Sequence, residues 1–190
     1  MPNIACKSIS CDCNWKRAFV SLGSNIEPRL RHLQSAVQML LQVDGVRLIS
    51  ASSVYETEPV EVAEPQMAYL NAVVEVATRL TPMELFAAMQ SIELRLGRMP
   101  NSKGKKLPRT VDLDLLIYDE TEMDTEALKL PHPRMSERAF VLIPLCEISP
   151  KLKLPNGINV CERAMELSRR QRVVQRFKPD QWLKLVNESG

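Results

Sequence analysis

Apolar positions change period several times along this chain, and each change marks an element. Arg17–Leu22 (RAFVSL) is a short β-type run that stops at Gly23-Ser24-Asn25, a turn-forming cluster. From about Glu27 to Leu41 the period becomes helical, with Leu30, Leu33, Val37, Leu40 and Leu41 on one face. Val46–Thr57 is β-branched and extended, Pro59 and Pro65 mark a loop, and Tyr69–Thr78 alternates as a further strand. Thr81-Pro82-Met83-Glu84 then spells a helix start: an N-cap Thr, Pro at the first helical position and Glu at the third. Leu85, Met89, Ile92 and Leu96 carry that helix's buried stripe to Gly97, which ends it. A polar loop, Arg98–Pro108, leads into LPRTVDLDLLIYDE (107–120), whose apolar run predicts a strand. The order β-α-β-β-α-β is that of a ferredoxin-like α+β sheet with helices packed on one face.

Downstream the pattern predicts a Pro-rich loop, a helix from near Ser136 kinked at Pro144, and a helical stretch over Val160–Val174. A short piece follows around Trp182–Val186. These read as C-terminal helical additions. The chain thus divides into a flexible N-terminal extension (1–16), one domain (17–160) and a C-terminal helical extension (161–190), with no repeat or linker between them.

Composition narrows the picture. A hydrophobic share of 45% excludes a disordered chain, and a net charge of +2 is too small to argue for nucleic acid. No apolar run reaches membrane-spanning length, and MPNIACKSISCDCNWKR has no apolar signal core. Cys6, Cys11, Cys13, Cys146 and Cys161 are odd in number and fit no zinc spacing. The expectation is a cytoplasmic protein with reduced thiols and no membrane or nucleic-acid partner.

Asp112 and Asp114 are the anomaly. Alternation puts Asp112, Asp114, Leu116 and Tyr118 on one face and Leu113, Leu115 and Ile117 on the other. Two carboxylates about 7 Å apart on one face repel each other, and a divalent cation removes the repulsion. Hard oxygen donors favour Mg²⁺, which takes one or two carboxylates and completes its shell with water and phosphate oxygens. The plainer alternative is a solvated, salt-bridged pair. The neighbours favour the metal. Arg95, Arg98, Lys103, Lys105, Lys106 and Arg109 come with no acid among them, which suits polyphosphate. His132, Arg134 and Arg138 form a second basic group. P-loop, dinucleotide and protein-kinase motifs are absent. His32 beside its helix's apolar stripe suits a surface role, and His132, between two prolines, is the better phosphate contact.

Six segments in order carry a resemblance: SLGSN (21–25), SSVYETEP (52–59), YLNAV (69–73), IELRLGR (92–98), PRTVDLDLLIY (108–118) and LPHPRMSERAFVLIPLCEI (130–148). With these the chain resembles the 6-hydroxymethyl-7,8-dihydropterin pyrophosphokinases, folate-pathway enzymes that move pyrophosphate from ATP to a pterin alcohol. The resemblance implies two Mg²⁺ ions on Asp112 and Asp114, with ATP as co-substrate. It implies phosphate contacts from Arg98 and Arg109, further ATP contacts from His132 and Arg138, and Glu93 close to the nucleotide. Thr57, Pro59, Val60, Tyr69, Asn71 and Phe140 would line the pterin pocket, with Tyr69 and Phe140 sandwiching the ring and Asn71 bonding its polar edge. Gly23, Ser24 and Asn25 would shape the loop beside it. A monomer is expected. The chain departs from the family pattern at Val60-Glu61-Val62 and at Lys106-Leu107, where a glycine-containing turn and an aromatic–Gly pair are usual. Two rivals remain on the residues alone. One is a Mg²⁺-dependent nuclease or nucleotidyl transferase. The other is a non-catalytic ferredoxin-like module, against which stand a 5% aromatic share and two acids on the sheet face.

Overall fold

The computed structural model describes residues 14–59, 66–98 and 107–183. Val60, Lys103, Lys105, Lys106 and the three N-terminal cysteines lie outside the described residues. Strand β1 (Lys16–Ser24) leads to α1 (Arg29–Leu41), β2 (Val46–Ala51), β3 (Val54–Thr57), β4 (Tyr69–Thr78), α2 (Pro82–Arg95) and β5 (Asp112–Tyr118). A two-strand hairpin, β6 (Met123–Asp124) and β7 (Lys129–Leu130), precedes α3 (Ala139–Ile148) and α4 (Val160–Ser168). β8 (Val173–Phe177) and the short α5 (Pro179–Trp182) end the described chain. The main sheet runs β5-β1-β4-β3-β8, with β2 also on β4, and its pairs are antiparallel.

The extended stretch 46–57 is broken in two at Ser52-Ser53, both buried. There the Val73 N–H donates to the Ser52 hydroxyl, 2.9 Å, rather than to a strand carbonyl. A side-chain acceptor inserted into the ladder interrupts the strand. α2 begins as its sequence dictates. The Thr81 hydroxyl accepts from the Glu84 N–H at 3.3 Å, and Glu84 accepts from the Thr81 N–H at 2.8 Å. Gly97, at φ +101°, takes the left-handed conformation just past the helix. Thr81→Ala should lower unfolding free energy by about 1 kcal/mol, read as a shift in urea midpoint at unchanged slope.

Helices cover both faces of the sheet, not one. α1 and α2 bury Leu33, Val37, Leu85 and Met89 against Val20, Leu22 and Val74. α3 and α4 bury Leu142, Leu145, Ala164 and Leu167 against Phe19, Val73 and Leu116 on the other face. The strict alternation expected of β5 also fails. Val20 faces Leu115 while Phe19 faces Ile117, so Leu116 is an extra residue and the register shifts. The slip flips the downstream side chains. Ile117 joins Leu116 on the α3 face and Tyr118 turns to the α1 face. Asp112 and Asp114 lie before the slip and keep their common face.

The tail departs from the purely helical expectation. Met135–Glu137 forms a single 3₁₀ turn, and α3 begins only at Ala139, with Pro144 inside it. Beyond α4 the chain forms a strand: β8 adds to the sheet edge, pairing Val54–Thr57 with Val173–Phe177. The β-branched pair Val173-Val174 suits that role. Cys146 and Cys161 are joined in a disulfide between α3 and α4, with Cα atoms 5.0 Å apart. This corrects the expectation of reduced thiols: helix packing brings the two within bridging range.

Candidate active site

One row of residues crosses four strands in register: Tyr55 on β3, Asn71 on β4, Gly23 on β1 and Asp112 on β5. Directly opposed residues share a face, here the α3 face. At about 4.8 Å per strand, Asn71 and Asp112 stand roughly 10 Å apart with only Gly23 between them. A Cβ on Gly23 would meet Asn71 Oδ1 at 3.2 Å and Tyr69 Cδ1 at 3.9 Å. Glycine therefore leaves the strip between amide and carboxylate open. The next row, Val73-Ser21-Asp114, runs under α3.

The Asn71 side is built around a planar amide. Buried Asn71 donates Nδ2 to Thr57 Oγ1 at 2.9 Å, which fixes its amide plane. Tyr69 pairs across strands with Thr57, and burial pushes its phenol up, so it stays a neutral hydroxyl. Phe140 lies in the first turn of α3, with the Arg138 guanidinium 5.5 Å over its ring. Pro59 follows two residues after β3, half-buried.

The Asp112 side is ionic. Asp112 Oδ1 accepts from Arg109 Nη1 at 2.5 Å and from Arg98 Nη1 at 3.2 Å. Glu93 is buried. It accepts the Leu113 N–H at 2.8 Å and pairs with Arg98. Burial pushes its carboxyl up to about 7, opposed by the Leu113 hydrogen bond. Glu93 thus faces inward and holds Arg98 and the start of β5. Arg138 Nη1 stands 3.5 Å from Asp114 Oδ2. Burial, then the charge of Asp112, raises the Asp114 carboxyl, with His132 and Arg138 opposing. Burial lowers the His132 imidazole against the pull of Asp114, and its Nδ1 accepts from the Arg134 N–H at 3.2 Å. Glu93, Arg98, Arg109, Asp112, Asp114 and His132 line one cleft of about 310 Å³. A larger recess of about 540 Å³ lies on the other side of the 131–133 turn, over Met123, Met135 and Pro155.

The sequence model of the 7,8-dihydro-6-hydroxymethylpterin-pyrophosphokinase (HPPK) family matches residues 19–150, a span that holds both sides of this site. The chain belongs to the HPPK family. It is 45% identical over 136 residues to the 2-amino-4-hydroxy-6-hydroxymethyldihydropteridine pyrophosphokinase of Bacillus subtilis, covering 72% of this chain and 80% of that one. It is 40% identical over 152 residues to the folic acid synthesis protein fol1 of Schizosaccharomyces pombe, covering 80% of this chain but 20% of that protein. The fold is similar to Plasmodium falciparum HPPK-DHPS, wild type with pteroate. That match has a TM-score of 0.65 at 12% identity and covers 82% of this chain and 46% of that one. The chain therefore spans a minor part of these two longer proteins.

Within this HPPK-family site, a magnesium centre can be judged from its donors. Among the described residues no group of three or more His, Cys, Asp and Glu could hold a metal. Asp112 and Asp114 offer two hard carboxylates on one face, next to three arginines. That suits an ion whose remaining ligands come from phosphate and water, as Mg²⁺ prefers. Asn25, in the turn after β1, is tied to the Arg109 backbone on both sides. Its Oδ1 accepts the Arg109 N–H at 2.7 Å, its own N–H donates to the Arg109 carbonyl at 3.1 Å, and its Nδ2 reaches Gln66 at 3.1 Å. The β6–β7 turn adds Glu126, Leu128 and Lys129 to the cleft wall. Neither contribution has a local signature, since both come from chain crossings.

Proposed function

We propose that the chain transfers pyrophosphate from ATP to the hydroxymethyl group of 6-hydroxymethyl-7,8-dihydropterin, releasing AMP in a Mg²⁺-dependent step of folate synthesis. The observation that carries this reading is the Asn71-Gly23-Asp112 row. It sets a planar polar recognition group and a carboxylate–arginine cluster side by side on one open strip. In this reading Thr57, Pro59, Tyr69, Asn71 and Phe140 receive the pterin, joined by Val60. Arg98, Arg109, His132 and Arg138 receive ATP, and Glu93 acts by holding Arg98. The sheet is read as ferredoxin-like, its second strand split into β2 and β3.

Asp112 and Asp114 would hold two Mg²⁺ ions, which when bound supply charge neutralisation at the phosphates and acidify the attacking hydroxyl. The chain's own contribution is orientation. Asn71 fixes the edge of the pterin so that its hydroxymethyl oxygen points along the strip toward the β-phosphorus. A new O–P bond forms there as the bond to the AMP oxygen breaks, and the hydroxyl proton leaves to solvent. Arg98 and Arg109 now sit on Asp112, and on phosphate they would stabilise the developing charge bidentately.

A cytoplasmic monomer completes the proposal. No described helix is long and apolar enough to cross a membrane. The Cys146–Cys161 disulfide is unusual for a reducing cytosol, and thiol counting on rapidly alkylated protein tests whether it is kept there. The deciding assay mixes protein, ATP, Mg²⁺ and the hydroxymethyl-dihydropterin. AMP should appear only with the pterin present and stop on chelation by EDTA. Cleaved nucleic acid in its place would favour the nuclease rival. Phe140→Ala should weaken pterin binding by about 10-fold or more while leaving ATP binding far less affected, measured by calorimetry. Equal losses would make Phe140 ordinary packing.

A further inference from the structure

The amino end of α3 delivers Arg138 and Phe140 to the site, yet it has no cap of its own. Arg138 stands at the N-cap position and makes no capping hydrogen bond. The first N–H groups of a helix lack intrahelical partners and need outside acceptors. The Ala139 N–H finds one in Gln171 Oε1, at 2.8 Å. The Nε2 of the same amide donates to the Glu137 carbonyl, also at 2.8 Å. One primary amide thus grips the backbone on both sides of Arg138. Arg163 of α4 adds a third hold, donating Nε to the Ser136 carbonyl at 3.0 Å. All three contacts come from beyond residue 150, where the family match ends.

We propose that Gln171 is a positioning residue for substrate binding, setting Arg138 and Phe140 through this two-point clamp. The proposal rests on the reading of those two residues as ATP and pterin contacts. Arg138 is a junction between a 3₁₀ turn and an α-helix, with extended backbone at φ −115°, ψ 107°. Neither element fixes the direction of such a junction. An amide that donates on one side and accepts on the other defines both the position and the plane of the backbone there. Arg138 reaches Asp114 across the cleft and covers the Phe140 ring. A small displacement of the junction therefore moves the phosphate-side cation and the aromatic wall together. Misplacement by about 1 Å can cost on the order of 10²-fold in rate.

Gln171→Leu removes both polar contacts at similar side-chain length. It should raise the dissociation constants for the pterin and for a non-hydrolysable ATP analogue by roughly 5- to 30-fold. Gln171→Glu keeps an acceptor for Ala139 and should recover part of the loss. In a Phe140→Ala background, Gln171→Leu should add little to the loss of pterin affinity, because the clamp acts through that ring. Wild-type affinities in Gln171→Leu, or a fully additive loss in the double variant, overturn the proposal. If Gln171→Leu does not fold, amide exchange in the unaltered protein serves as the test. The Ala139 N–H should exchange slowly, and fast exchange overturns the clamp. That measurement needs no substrate. A protein that makes no AMP yet protects Ala139 would defeat the pyrophosphokinase reading alone.

Discussion

Asp112→Ala and Asp114→Ala should each lower pterin-dependent AMP release by roughly 10³-fold or more, on the scale of losing a central electrostatic group from an active site. The two carboxylates share one face of β5, and each stands beside arginines that phosphate would otherwise attract. Removing Asp112 strips Arg109 of a 2.5 Å partner, while Arg98 keeps Glu93. The fold should survive, because Leu113 and Leu115 still anchor β5 in the core and the Leu113 N–H still reaches Glu93. Far-ultraviolet circular dichroism and the thermal midpoint should stay close to wild type. Asp112→Asn separates shape from charge: it keeps the side-chain outline, and if charge is what matters it should be nearly as inactive. Near-normal AMP release from any of these variants would mean that the pair is a solvated decoration of the sheet edge.

The carboxylates were legible in the sequence because their chemistry clashes with their surroundings. An acid in an apolar run needs an explanation, and a neighbouring run of unmixed positive charge supplies one. The α2 cap was legible for a local reason too, since Thr81 and Glu84 satisfy each other within one turn. Less could be read where distant segments meet. Leu116 is an ordinary strand residue in sequence. Only its pairing with β1 shows the slip that sends Ile117 and Tyr118 to opposite sides. Glu93 is another such place: no local pattern reveals that its buried carboxylate sits between the Leu113 N–H and Arg98. The tail misled for a related reason. The helical pattern over Val160–Val174 holds as α4 up to Ser168, while Val173 and Val174 begin β8, because the edge of β3 offers their backbone partners there.

The second large effect concerns that tail. Trp182→Ala should destabilise the protein by about 3–5 kcal/mol, the range for deleting a large buried aromatic. Trp182 is 0% exposed and belongs to the core on the α1–α2 face. Its indole N–H donates to the Ser52 carbonyl at 2.9 Å, at the break between β2 and β3. Its own carbonyl accepts from Gln34 of α1 at 2.7 Å. The residue thus closes a gap that the broken strand leaves open, tying the end of the described chain to both sheet and helix. Alanine removes the ring and leaves the Ser52 carbonyl without its donor, and the two costs add. Trp182→Phe should separate them, keeping most of the apolar surface and costing about 1–2 kcal/mol for the lost donor. Total stabilities of single domains are about 5–15 kcal/mol, so the alanine variant should unfold at a much lower urea concentration with an unchanged slope. A shift worth less than about 1 kcal/mol would mean that residues past 150 are an accessory. The predicted shift would mean that the family-matched segment needs this tryptophan to complete its core.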